Sequence, residues 1–297
     1  MKKMRIGYFA DGPWSHDALA RILADETIEV EFICARDDNP DEILESISQR
    51  YGIEFFTHPQ INSQEFFDLV SNFDCDLFVS MSFNQIFKSR LINLPVLKVI
   101  NCHAGKLPFY RGRNVLNWVL INDESEFGIT VHFIDEGIDT GDIILQRTFQ
   151  IDDTDDYSTL LSTAYVECGS ILYDALKIVQ GGNVSTVKQV ELDPVGSYCT
   201  ARSQGDEKLE WNMNSREVFN FVRAICNPGP QARTSLDGLE VKINRVELLP
   251  KAPIHSGVAG SVVVVEDETF FVKTLDSSIR VVDWTGCGLP AIGDRFK

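Results

Sequence analysis

Short apolar runs alternate with helix-period segments through the first 150 residues, and a chain patterned this way folds as parallel βαβ units. Residues 5–9 read as the first strand. The turn-rich run Ala10-Asp11-Gly12-Pro13-Trp14-Ser15 then leads into a helix carrying Leu19, Ile22 and Leu23 on one face. Strands at 29–34, 53–56, 76–81 and 96–102 alternate with helices at 42–51, 64–70 and 115–120. Residues 128–134 and 142–149 read as a strand pair around the loop 135–141. A long amphipathic helix follows at 156–180, apolar at 160, 161, 164, 168, 171, 172, 175, 176 and 179, and Gly181-Gly182 stops it.

The pattern then changes. Residues 184–205 lack a periodic run and hold Pro194, Gly196 and Gly205, as a connector does. Beyond them a helix with Ser215 as N-cap buries Val218, Phe221, Val222 and Ile225 and ends at Asn227-Pro228-Gly229-Pro230. Short β-rich runs at 241–249, 260–265, 270–274 and 279–284 suggest a small barrel or sandwich. The expected organisation is α/β, a mostly parallel sheet over 1–183, a connector over 184–205, and a small β-rich domain over 206–297.

With 44% apolar residues the chain can bury a core in each part. No apolar window is long enough to span a membrane, and no secretory leader pattern precedes the first strand. The seven cysteines are odd in number, scattered, and never spaced C-x-x-C. That disfavours a disulfide framework or structural zinc and fits a reducing cytoplasm. The net charge of −17 disfavours a nucleic-acid partner, which is normally met by a basic face. From Gly205 onward 11 Lys+Arg stand against 13 Asp+Glu, so the acidity lies in the first two-thirds.

The chemistry concentrates between Asn101 and Asp142. Asn101 and His103 end a strand of a predicted parallel sheet, where such sheets bind ligands, and being two apart they point the same way. An amide N–H can donate to a developing oxyanion, and an imidazole can move a proton near pH 7. Asp139, in a glycine-punctuated loop, can orient the imidazole or accept a proton. Each alone reads equally well as turn chemistry or a satisfied core pair. No partner is apparent for His16, His58 or His255, and His132, mid-strand, reads as structural.

The ordered set Asn101-x-His103, Leu107-Pro108, Tyr110-Arg111-Gly112, Gly128-x-Thr130-Val131-His132 and Asp135-x-Gly137-x-Asp139-Thr140-Gly141 resembles the 10-formyltetrahydrofolate-dependent formyltransferases. The resemblance spans about residues 4–180 and is sharpest over 80–145. It implies a Rossmann-like domain, N10-formyltetrahydrofolate as donor, a primary amine as acceptor, and no metal. By position, Asn101 would polarise the formyl carbonyl, His103 would stabilise the oxyanion and carry the amine proton, and Asp139 would position His103 and a water. The pterin would meet the loop Asn84-Gln85-Ile86-Phe87 and the segment holding Ile134, Asp135 and Gly137. A homodimer is the family expectation.

The acceptor is read from departures. Relatives acting on tRNA carry Ser-Leu-Leu-Pro after the histidine, whereas this chain has Gly105-Lys106-Leu107-Pro108. The run Tyr110 to Trp118 is more similar to the sugar N-formyltransferases, including those acting on dTDP-4-amino-4,6-dideoxyglucose for O-antigen lipopolysaccharide. Lys106, Arg111 and Arg113 then suit a pyrophosphate, Tyr110 a base or sugar, and Trp14 an aromatic or anion contact beside Gly12. The competing readings of these side chains are a solvated loop and simple packing. Methionyl-tRNA formyltransferase is the alternative enzyme, and a non-catalytic folate or nucleotide-sugar binder the alternative of another class.

Overall fold

The computed structural model describes residues 3–249 and 251–297. Its elements are β1 (Met4–Ala10), α1 (Pro13–Leu23), β2 (Ile28–Ala35), α2 (Glu42–Tyr51), β3 (Glu54–Thr57), α3 (Gln64–Val70), β4 (Leu77–Met81), α4 (Ser89–Ile92), β5 (Val99–His103), β6 (Arg111–Gly112), α5 (Val115–Ile121), β7 (Glu126–Phe133), β8 (Ile143–Gln150), α6 (Tyr157–Gln180), α7 (Gln189–Leu192), β9 (Tyr198–Cys199), α8 (Ser215–Ile225), β10 (Ala232–Leu236), β11 (Leu239–Glu247), β12 (Val262–Glu266), β13 (Thr269–Lys273) and β14 (Ser278–Thr285). They form two compact units, one of Met1–Gly112, Gly128–Phe149 and Ser162–Cys199, the other of Arg113–Phe127, Gln150–Leu161 and Thr200–Lys297.

The first unit is built on a seven-stranded sheet in the order β3-β2-β1-β4-β5-β7-β8. Neighbours from β3 to β5 are parallel, and β7 runs antiparallel to β5. The order reverses between β1 and β4, so a crevice opens outside their carboxyl ends, where α/β sheets hold ligands. β1 and β4 are buried along nearly their whole length, as the continuous apolar strands of a covered parallel sheet must be. All nine apolar positions expected on the 156–180 helix are buried in α6. Phe9 of β1 sits amid five phenylalanine rings, with centroids 4.9 Å (Phe87) to 6.0 Å (Phe66) away.

The second unit carries one five-stranded antiparallel sheet, β10-β11-β14-β13-β12, rather than two facing sheets. β10 was not apparent from periodicity, yet Asp237-Gly238, both at positive φ, is the two-residue turn that closes the β10–β11 hairpin. The N-cap of α8 is Asn214, not Ser215. Its side chain accepts from Glu217 N–H while Glu217 reaches back to Asn214 N–H. Ser215 instead donates its N–H and hydroxyl to Asp276. The stretch expected as a bare connector holds α7 and β9, and β9 pairs in parallel with β6. Among the described residues no helix is long and apolar enough to cross a membrane.

Candidate active site

β5 ends on the site. Asn101 pairs with His132 of β7, and His103 with Thr130, so strand alternation puts Asn101 and His103 on one face. Cys102 between them faces the other way, its Sγ 3.7 Å from Cys168 O of α6. Ile134 N–H donates to Val99 O, level with the start of β5, and the following loop folds back to bring Asp139 to His103 and His132. Gly141 is required there, because a Cβ on it would lie 1.8 Å from Phe133 O.

Asp139 lies between two imidazoles. Its Oδ2 is 3.6 Å from His103 Nδ1 and 2.8 Å from Gly112 N, which donates to it. Its Oδ1 is 3.5 Å from His132 Nε2, and that nitrogen is 3.3 Å from Asn101 Nδ2. In each ring the opposite nitrogen meets a backbone carbonyl at 2.7 Å, Tyr110 O for His103 and Phe133 O for His132. A carbonyl only accepts, so those nitrogens carry hydrogens. The nitrogens facing Asp139 are therefore the ones left to exchange a proton. Burial works to raise the carboxyl pKa of Asp139, but the facing His103, the contact with His132 and the Gly112 N–H together hold it well below the usual range.

These groups can hold a charge, an amide donor and an exchangeable proton in one half-buried place. The structure brings Asn101, His103 and Asp139 together as the sequence suggested. It adds His132, which reads as structural from mid-strand position and is in fact in contact with both Asn101 and Asp139. Its signal was the strand alternation opposite Asn101. Among the described residues no cluster of His, Cys, Asp or Glu is arranged to hold a metal ion.

The other predicted residues distribute unevenly. In the loop after β4, Gln85 is spent on Ile61 N and His58 O, Ile86 is exposed, and Phe87 is buried against Phe9. Asn84 Nδ2 donates to Asp38, while its Oδ1 is buried without a partner. Ile134 packs on the same aromatic cluster, and Asp135 Oδ1 accepts from Gly137 N and Thr140 Oγ1. Ser89 bonds Glu136, so the two loops adjoin. A cavity of about 310 Å³ lies beside them, lined by Ser89, Ile92, Asn93, Lys98 and 133–136, and not by the Asn101 cluster.

Three expectations need correction. Trp14 packs edge-on against Tyr165 at 4.8 Å, and the nearby Gly12 N–H already donates to the Asp41 carboxylate, so that helix end is not an open anion site. His16 has a partner, Asp41 at 2.9 Å, while His58 Nδ1 accepts from Gln60 N and His255 Nδ1 lies 3.0 Å from Pro253 O. Arg111 is buried and directed inward to Gln189 and Val195 O rather than to a ligand. Lys106 and Tyr110 are half-buried, the carbonyl of Tyr110 meeting the His103 ring, and Arg113 is exposed.

Gly105 leaves room for the His103 ring and its carbonyl partner. A Cβ there would lie 2.4 Å from His103 Nε2 and 2.5 Å from Tyr110 O, breaking the bond that fixes the ring. Gly105→Ala is therefore expected to cost roughly 1–3 kcal/mol of stability by overpacking. Because small misplacements are amplified at a reacting centre, kcat should fall about 10–100-fold, as steady-state kinetics beside thermal melts will show.

Residues 11–176 match the formyl transferase family, and residues 202–286 match the formyl transferase C-terminal domain. The chain belongs to the formyl transferase family. Among curated relatives, methionyl-tRNA formyltransferase of Clostridioides difficile is 25% identical over 94% of this chain and 91% of its own. That of Fusobacterium nucleatum is 30% identical over 71% and 67%. Among solved structures, an N-formyltransferase from Helicobacter canadensis, in complex with folinic acid and dTDP-3-aminofucose, superposes with a TM-score of 0.72 at 21% identity, over 95% of this chain and all (100%) of that one. The sugar 3N-formyltransferase WlaRD, solved with dTDP and 5-N-formyl-THF, gives 0.71 at 21% identity, over 95% and 97%. As a member of this family the chain is an N-formyltransferase, and these likenesses share its fold.

Proposed function

We propose that this formyltransferase moves the formyl group of N10-formyltetrahydrofolate to the primary amine of a dTDP-linked amino-dideoxy sugar, with dTDP-4-amino-4,6-dideoxyglucose, an O-antigen precursor, as first candidate. The amine nitrogen bonds to the formyl carbon, the bond from that carbon to N10 breaks, and one proton passes from the amine toward N10. Asn101 donates to the formyl oxygen as charge builds on it. His103, held against Asp139, carries the proton. The buried, unpartnered Asn84 Oδ1 suits the N–H donors of a pterin, in the region where the two loops adjoin. Lys106 and Tyr110, which follow His103 in sequence, are the remaining contacts for the phosphates and sugar.

The observation supporting the acceptor reading is the state of the positive charge from Gly205 onward. Of the 11 Lys+Arg from Gly205 onward, Lys208, Arg216, Arg223, Arg233, Arg245 and Arg280 are engaged in ion pairs. Lys273 is 1% exposed, its ammonium enclosed by the carbonyls of Thr274, Leu275 and Ser277. These seven of the 11, already paired or enclosed, would release few phosphate counterions, and counterion release is the main source of tRNA affinity. A second reading, methionyl-tRNA formyltransferase, is favoured by the names of the curated relatives. Binding of methionyl initiator tRNA between 50 and 200 mM salt separates the two. The sugar reading expects weak binding at both ends, whereas a 10³-fold or larger loss across that range would favour tRNA.

A further inference from the structure

We propose that Gln189 is a positioning residue for Asp139, acting with Arg111 as a clamp on the loop 135–141. The proposal rests on the reading of Asp139 as a catalytic group.

Gln189 is 3% exposed and opens α7, inside the stretch that the sequence presents as a connector. Its Nε2 donates to Asp139 O and to Gly141 O, each at 2.8 Å, using both amide hydrogens. Its Oε1 accepts from Arg111 Nε at 3.0 Å and Nη2 at 2.7 Å. A guanidinium only donates, so the atom facing it must be the amide oxygen, and the NH₂ must face the two carbonyls. Chemistry alone therefore fixes the orientation of this amide.

Arg111 is held in turn. It is 7% exposed, its Nη1 donates to Val195 O at 3.3 Å, and its N–H donates to Ser197 O at 3.1 Å. The next residue, Gly112, donates its N–H to the Asp139 carboxylate at 2.8 Å. One short strand thus grips Asp139 twice, at its carboxylate directly and at its carbonyl through Gln189. The grip is needed because Asp139 sits at φ 54, a left-handed conformation that a non-glycine residue adopts only when its surroundings impose it. Without Gln189, two inward carbonyls lose their donors and the loop loses the contact that sets the carboxylate between His103 and His132.

The test exploits an isosteric exchange. Gln189→Glu keeps the shape and offers Arg111 an acceptor at least as good, but it presents oxygen to Asp139 O and Gly141 O. If Gln189 serves only to satisfy a buried arginine, the variant keeps its activity. If it positions Asp139, kcat falls about 10–100-fold while KM for N10-formyltetrahydrofolate and for the acceptor stays within about twofold. Hydrogen exchange in 135–141 should accelerate in the same variant. Should Gln189→Glu fail to fold, the double variant Arg111→Met/Gln189→Met removes the buried charge together with its partner. The clamp predicts the same kcat loss there. Wild-type kcat in the folded variant overturns the proposal. Asp139→Asn, assayed alongside, separates the layers. An inactive Asp139→Asn with an active Gln189→Glu sinks the clamp alone, whereas an active Asp139→Asn sinks the reading of Asp139 and the clamp with it.

Discussion

Asp139→Asn lowers kcat by roughly 10²–10⁴-fold and leaves the fold in place. The amide keeps the size of the carboxylate and can still accept from Gly112 N–H, so the loop retains that anchor. It loses the negative charge that faces His103 Nδ1 at 3.6 Å and His132 Nε2 at 3.5 Å. Both rings already donate to carbonyls on their far side, so the carboxylate faces only their inner nitrogens. The pH dependence has a definite sign. The folded carboxyl pKa is depressed, so the stability it contributes is fully present above the unfolded value of about 3.9 and is lost as pH falls toward the folded value. Urea unfolding of wild type and Asp139→Asn should therefore differ by a constant amount from about pH 5 to 8, and the gap should narrow only below about pH 4. A gap that does not narrow below about pH 4 would show that the folded protein does not hold the carboxylate in its charged form.

Phe9→Ala is expected to cost about 3–5 kcal/mol, the largest loss of stability foreseen for a single substitution here. Phe9 is completely buried (0% exposed), and its edge-to-face contacts with Phe32, Phe78, Phe83 and Phe87 add to the burial itself. Phe83 and Phe87 bracket the Asn84 loop, so the cavity left behind should also weaken folate binding. Urea denaturation with parallel folate titration checks both effects. A loss below about 1 kcal/mol would mean that neighbouring rings collapse into the space.

The sheet and α6 were legible because burial on a strand or along a helix face leaves a period in the sequence. The nine apolar positions of α6 show this directly. The cluster of Asn101, His103 and Asp139 was legible as a motif, since strand alternation fixes Asn101 and His103 on one side. What escaped were contacts made across the fold. His132 faces Asn101 only because β7 pairs with β5 in that register. Arg111 reads as a phosphate ligand from its basic loop, and only the return of the chain at Gln189 and Val195 shows it turned inward. Gln189 sits in an aperiodic stretch, where a buried amide has no local signature. Short elements such as α7, β6 and β9 are set by tertiary pairing, which local propensity does not record.

The most direct measurement is mass spectrometry of products formed from N10-formyltetrahydrofolate with a panel of amino-sugar nucleotides, carrying amines at C3 and C4, and with initiator methionyl-tRNA in parallel. A formylated sugar nucleotide is expected, and it should be absent when His103→Ala replaces the wild type. Formylated methionyl-tRNA, with every sugar nucleotide left unmodified, would contradict the sugar reading.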